Sequence, residues 1–128
     1  MAKDDYDVIV FKILVYLYAV TKGKEIFIQQ KYDKAIDRKN INEEYLLRVY
    51  QMMSDEGLIK NAKFTSAWGG DLIPLFAESD LMITAKGIHY LEENDKMKKV
   101  AGYLAEKADT IVNLLITAGL EYLLQQVR

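Results

Sequence analysis

Apolar side chains recur at helical spacing near the start of the chain. Within residues 5–21 they fall at Val8, Phe11, Val15 and Tyr18, the three-and-four spacing of one helix face. Further apolar residues beside them widen that face to more than half of the circumference. The pattern therefore predicts a helix that lies at the centre of the core.

Two further helices are predicted before residue 57. Residues 30–36 have enough apolar positions for a short helix, and the polar residues 37–40 follow as a turn. A third helix is predicted over residues 42–56, because Asn42 can accept a backbone N–H as its N-cap. Gly57 can adopt the left-handed conformation that ends a helix.

The next pattern is that of a β-hairpin. Residues 58–65 and 72–76 are strand candidates on either side of a glycine-containing turn. Pro74 has no N–H to donate, so the returning strand should lie at an edge. A third extended piece, residues 80–83, leads to Thr84, whose hydroxyl can cap a fourth helix that runs to Asn94.

The last 33 residues predict one long helix. Apolar residues from position 96 to 128 alternate at spacings of four and three, which is a heptad seam. Beyond Ile111 they also spread off the seam, and a helix that is apolar on most sides needs a partner surface. We therefore divide the chain into a domain of residues 1–94 and a dimerising helix of residues 95–128, and expect a homodimer. The predicted dimer contacts are Leu104, Ala108, Ile111, Leu115, Ala118 and Tyr122.

The order of elements predicts the fold class. Three helices, a hairpin and a further helix indicate an α+β, mostly helical protein, a winged helix-turn-helix with a long C-terminal helix. Residues 42–56 take the place of the recognition helix, and residues 65–71 form the tip of the wing.

Composition narrows the class of protein. The chain has 128 residues, 51% of them hydrophobic, and no Cys, which excludes disulfides, thiolate nucleophiles and zinc sites that use Cys. The N-terminus is acidic and has no signal-peptide pattern, and the apolar runs are shorter than the roughly 20 residues of a membrane span. We expect a cytoplasmic protein without a membrane partner.

Charge limits how the chain could bind DNA. The net charge is −2, so phosphate contacts would need a local basic patch. Residues 42–56 carry four acids and one base, a net charge of −3, whereas residues 22–39 carry six bases and three acids. Each basic residue could equally belong to a solvated face, and Trp68 could fold back onto the protein. The candidate DNA-binding residues are Lys31, Lys34, Arg38, Lys39, Arg48, Gln51, Lys60, Lys63 and Trp68.

Catalytic chemistry has little support in the sequence. His89 is the only histidine, and Glu92 and Glu93 follow it at a spacing that is weak for metal ligation. No nucleophile elbow or phosphate-binding loop accompanies it. We expect no catalytic residues, no metal and no cofactor, and predict that the protein is not an enzyme.

Three stretches of the chain together resemble the YjcQ family of small bacterial and phage proteins. They are residues 41–45 (INEEY), 55–59 (DEGLI) and 81–94 (LMITAKGIHYLEEN), and the resemblance covers roughly residues 5–94. It implies a winged-helix fold and a prophage context. The function of the family is unestablished, with a phage-head role suggested, and no functional residues are carried over. The tail departs from the family, whose members mostly end soon after the Thr84 helix.

Two functional hypotheses follow from these patterns. The first, which is the leading hypothesis, is a dimeric winged-helix DNA-binding protein, a prophage-encoded transcriptional regulator. The alternative is a phage structural, head-associated protein or a protein-interaction module that keeps the fold without binding DNA. The acidic helix over residues 42–56 favours the alternative, and the basic stretch over residues 22–39 favours the first.

Overall fold

Helix α1 (Tyr6–Thr21) lies at the centre of the protein, as its apolar pattern predicts. Eleven of its 16 residues are buried, on all sides of the helix. The computed structural model describes residues 1–125. Within that range the helices that follow are α2 (Gln29–Ile36), α3 (Glu43–Asp55), α4 (Ala85–Glu93), α5 (Asp95–Glu106), α6 (Ile111–Thr117) and α7 (Tyr122–Gln125).

The predicted caps set the ends of α3. Asn42 Oδ1 accepts the backbone N–H of Tyr45 at 3.1 Å, which confirms it as the N-cap. Gly57 follows the helix with a φ of 77°, a conformation that glycine adopts without strain. Leu46, Val49, Tyr50 and Met53 form the buried face of α3.

The strands form two nested antiparallel pairs. The strands are β1 (Ile59–Lys60), β2 (Phe64–Ser66), β3 (Leu72–Pro74) and β4 (Met82–Ile83). β2 pairs with β3, which confirms the predicted hairpin, and β1 pairs with β4, the third extended piece. The strand predicted over residues 58–65 is divided into β1 and β2, because Asn61 between them has a positive φ. We call residues 59–83 the wing.

Helix α4 begins where the wing returns to α3. The Thr84 hydroxyl accepts the N–H of Gly87 at 2.9 Å and donates to the carbonyl of Gly57. The backbone N–H of Thr84 donates to the Leu58 carbonyl at 3.1 Å. Residues 84–87, which we call the Thr-x-Lys-Gly helix start, therefore form a joint between α4 and the end of α3.

The prediction of one long C-terminal helix is wrong. The chain instead forms α5, α6 and α7, separated by turns at which Ala108 and Gly119 have positive φ. Asp109 Oδ1 accepts the N–H of Ile111 at 3.0 Å and so starts α6. Residues 126–128 lie outside the described residues.

The predicted dimer seam is used within the chain itself. Leu104, Ile111, Leu115 and Ala118 are all buried in the core of the single chain, so their side chains are not free to pair with a second copy. The other two seam residues also differ from the prediction. Ala108 lies in the α5–α6 turn, and the Tyr122 hydroxyl donates to the carboxylate of Glu92.

The division at residue 94 does not separate two cores. α5 and α6 pack against α1, and one hydrophobic cluster runs from Val8 to Leu123. The tail is thus one wall of the same core.

The fold class is α+β and mostly helical, with small antiparallel sheets. Three helices followed by a nested hairpin are consistent with a winged-helix-like arrangement. Within residues 1–125, no helix is both long enough and apolar enough to cross a bilayer.

Candidate functional site

The face of α3 that would enter a DNA groove is acidic and partly covered. Glu43 and Glu44 are exposed at its start, and Asp55 is exposed at its end. Arg48 Nη2 donates to the Gly70 carbonyl at 3.3 Å, so the one basic side chain of α3 is engaged by the tip of the wing. Gln51 is half-buried.

Further carboxylates face the same helix from the start of the chain. Burial raises the pKa of the Tyr45 hydroxyl, and the carboxylates of Asp4, Asp5 and Asp7 raise it further. The acidic N-terminus therefore adds negative charge beside the first turn of α3, which strengthens repulsion of a phosphate backbone.

Arg38 is engaged by carboxylates of its own chain. Its guanidinium pairs with Asp33 at 2.9 Å and Glu43 at 2.8 Å, and also with Glu78. The hydrogen bond with Glu43 is the largest cause of a raised Arg38 pKa. Arg38 is predicted from the sequence to contact phosphate, but its guanidinium already pairs with three carboxylates. It thereby joins α2, α3 and the 3-10 helix Glu78–Asp80.

A chain of buried hydroxyls continues this joint inward. The hydroxyls of Tyr32 and Tyr50 share a hydrogen bond, and Tyr50 donates to Glu78. Burial is the largest cause of the raised pKa of both tyrosines. Sequence reasoning missed this chain of hydroxyls, because no local spacing links Tyr32, Tyr50 and Glu78.

The remaining predicted lysines fall into three groups. Lys31 pairs with Glu25 at 3.5 Å. Lys34 and Lys39 are exposed and line a cavity together with Arg38, whereas Lys60 and Lys63 are exposed on the wing.

The wing exposes large apolar side chains at Trp68, Ile73 and Leu75. The Trp68 side chain is fully exposed at the tip, while Ile73 is 41% and Leu75 is 60% exposed. Thr65 lies opposite Ile73 in the β2–β3 register, and Leu75 N–H donates to the Lys63 carbonyl at 2.8 Å. Ile73 and Leu75 are two residues apart, so both side chains stand on the same face of the hairpin.

The cavity beside α2 is a feature that the sequence did not reveal. It measures about 790 Å³ and lies between the start of α1, the end of α2 and the α5–α6 turn. Lys12 lies in its wall, only 1% exposed, and pairs with Asp109 at 3.1 Å. A lysine inside the apolar run of α1 was the available signal, but its partner is 97 residues away.

His89 has an exposed side chain on α4. Its Nδ1 lies 3.5 Å from Glu93 Oε2. Among the residues that the structure describes, no three or more His, Cys, Asp or Glu side chains come together in a way that could hold a metal ion.

Comparison with known proteins gives one match. The family model described as YjcQ protein matches residues 11–110, so the match extends past residue 94 and includes all of α5. No curated protein and no solved structure matches the chain. Since the match covers most of the sequence, the chain belongs to the YjcQ family.

Proposed function

We propose that this protein is a protein-interaction module of winged-helix-like fold, and that the wing binds the partner. The observation that carries the proposal is the fully exposed Trp68 side chain. Large aromatic side chains dominate the energetics of protein interfaces when a partner pocket covers them. The Trp68 side chain buries no surface in the core of its own chain, so all of it is available to bind a partner.

The surroundings of Trp68 define the chemistry of the partner. Ile73 and Leu75 extend the apolar surface along one face of the hairpin, and Lys63 lies beside them. The partner should therefore offer an apolar pocket for the indole, with carboxylates at its rim to meet the lysine. In the phage context that the family resemblance implies, a product of a neighbouring gene, such as a head protein, is the first partner to test.

The charge of α3 supports a protein partner over DNA. Its exposed acids, the carboxylates of the N-terminus and the engaged side chains of Arg38 and Arg48 all reduce the attraction of a polyanion. The acidic α3 can remain solvated when the wing binds a protein.

The fluorescence of Trp68 provides the test, because it is the only Trp of the chain. Titration with a true partner should shift its emission to shorter wavelength as the indole becomes buried. Trp68→Ala should abolish co-purification with that partner, while Ser66→Ala, an exposed β2 residue on the opposite face of the hairpin from Ile73, should retain it. Retention of the partner by Trp68→Ala at wild-type affinity would rule out the wing as the interface.

A second candidate is the DNA-binding regulator, favoured by Lys60 and Lys63. Both side chains are exposed on the wing and form no ion pair among residues 1–125. A wing that carries lysines and an apolar residue could enter a minor groove, where apolar wedges unstack bases. The homodimer of this hypothesis would need a surface other than the predicted seam.

Titration with duplex DNA at low salt distinguishes the two candidates. The regulator predicts that DNA quenches Trp68 emission, that Lys60→Glu with Lys63→Glu abolishes binding, and that affinity falls as salt rises. It also predicts a mass of twice 14.7 kDa by light scattering. If DNA does not quench the Trp68 emission of the folded protein, the regulator hypothesis is rejected and the protein-interaction hypothesis is retained.

A further inference from the structure

We propose that the cavity beside α2 binds a small phosphorylated ligand with a planar group, a nucleoside phosphate. This site is independent of the wing. Its volume of about 790 Å³ lies within the usual range of small-molecule pockets, roughly 300–1,000 Å³. The proposal rests on the charge of its wall, the bonding of Lys12 and the aromatic side chain beside them.

The wall of the cavity has an excess of positive charge. Six basic and three acidic side chains line it. Each acid already has a basic partner in the same wall: Asp33 pairs with Arg38, Asp37 with Lys3, and Asp109 with Lys12.

Three lysines remain after this pairing, Lys34, Lys39 and Lys107, and none of them forms an ion pair among the described residues. They approach the cavity from two elements distant in sequence, α2 with its following turn and the end of α5. A ligand of two or three negative charges would balance them.

Lys12 provides the fixed point of the site. Its ammonium carries three N–H donors and makes one hydrogen bond within residues 1–125, to Asp109 Oδ2 at 3.1 Å. The side chain is 1% exposed, so its position is set by the surrounding core. A phosphate oxygen in the cavity could accept one of the two remaining N–H groups. A buried ammonium that is already in place loses little side-chain entropy when it binds.

The rest of the wall is apolar and aromatic. Val8, Leu104 and Ala108 line it together with Tyr103. The Tyr103 hydroxyl donates to the Met1 carbonyl at 2.7 Å, which fixes the ring, and Lys107 Nζ lies 5.7 Å from the ring centroid. An aromatic ring beside a cation suits a ligand that joins a planar base to a phosphate.

Titration with ADP and with inorganic pyrophosphate, followed by NMR amide shifts and calorimetry, tests the proposal. ADP should shift amides of residues 34–39 and 103–110, and should bind at least tenfold more tightly than pyrophosphate. Lys34→Glu and Lys107→Glu should each weaken ADP binding at least tenfold. Lys99→Glu is the matched control, because Lys99 is exposed on α5 and does not line the cavity.

Tyr103→Leu separates the two parts of the ligand. It should reduce ADP affinity at least fivefold and leave pyrophosphate affinity unchanged, with circular dichroism used to verify the fold of each variant. The proposal is overturned if neither probe binds at millimolar concentration, or if ADP binds no more tightly than pyrophosphate. Equal weakening by Lys99→Glu and Lys107→Glu would also overturn it, because binding would then follow net charge alone.

Discussion

At the scale of single residues, Lys12 places the strongest demand on the rest of the chain. It is the one charged side chain among the buried residues of the described range. A buried ammonium is tolerated only when a carboxylate compensates the loss of hydration. Asp109 meets this demand, and the same carboxylate starts α6, so one side chain serves both the core charge and a helix start.

Asp109→Asn should lower the free energy of unfolding by about 3–5 kcal/mol, because it leaves the Lys12 ammonium buried without its counter-charge. Urea denaturation at neutral pH measures the change. The double variant that adds Lys12→Met should recover most of the loss, since it removes the unpaired charge. Asp71→Asn, at an exposed wing position, is the control, and an equal effect of both single variants would contradict the buried-pair account.

The helix caps were predictable one residue at a time, and the ion pair was not. Asn42 and Thr84 each accept a backbone N–H three positions away, so the local sequence is sufficient to predict these caps. The position of Lys12 inside an apolar run indicates that a carboxylate must lie close to it in the fold. Which carboxylate this is depends on how α5 and α6 return to α1, and neither periodicity nor local spacing specifies that return.

At the scale of elements, the joint between α3, the wing and α4 depends on one glycine. A Cβ built on Gly87 would lie 2.2 Å from the carbonyl oxygen of Leu58, which is backbone and cannot move aside cheaply. The glycine of the Thr-x-Lys-Gly start is therefore required by the close approach of α4 to the backbone before β1.

Gly87→Ala should lower the free energy of unfolding by at least about 2 kcal/mol, because the added methyl forces α4 away from Leu58. Thermal and urea unfolding measure it. Ala85→Ser, at an exposed position in the same turn, should stay within about 0.5 kcal/mol of wild type. A tolerated alanine at position 87 would show that α4 does not pack this closely.

The tyrosine joint between α2 and α3 makes stability depend on alkaline pH. The pKa values of Tyr32 and Tyr50 are raised in the folded state, chiefly by burial. Their contribution is complete below the unfolded pKa of about 10 and is lost as pH rises through the folded values. Above pH 10 the free energy of unfolding should fall less steeply in Tyr50→Phe than in wild type, by up to about 1.4 kcal/mol per pH unit. Urea titrations at pH 9, 10 and 11 measure both slopes, and equal slopes would contradict the role of Tyr50.

The tail shows the limit of periodicity as a guide to elements. Most of the seam residues are buried, as their spacing predicts. The spacing predicts which residues are buried but not where a helix ends, because it continues unchanged across the turn at Ala108. The helix is interrupted after α5 so that Asp109 can pair with the buried Lys12, and this contact is between residues distant in sequence. Gly119 was the one local sign of a second break.

At the scale of the whole molecule, the chain folds around a single helix rather than as a domain with an appendix. α1 contacts α2, α3 and α4 and also α5 and α6. The elements up to residue 94 could be placed from sequence, because their hairpin and caps are local. The arrangement of α5 to α7 could not, since a helix paired with a twin and a helix packed on its own core have the same pattern.

A chain truncated after residue 94 should lose cooperative unfolding. Without α5 and α6, one side of α1 is left uncovered, and the Lys12 ammonium loses Asp109. Thermal unfolding followed by circular dichroism and by a dye for exposed apolar surface measures this. If residues 1–94 unfold cooperatively at the wild-type temperature, they form an independent domain, as the sequence analysis predicts.

The central position of α1 also sets the order of events during synthesis. It is synthesised before the other described helices, yet its cover is complete only when residues past Asp109 have followed, and Tyr103 must be present to hold the Met1 carbonyl. At about 5–20 residues per second, translation of the residues between α1 and Asp109 takes on the order of ten seconds. During that time α1, whose described residues are mostly buried in the finished fold, has only part of its cover, which makes it a segment on which chaperones and aggregation compete.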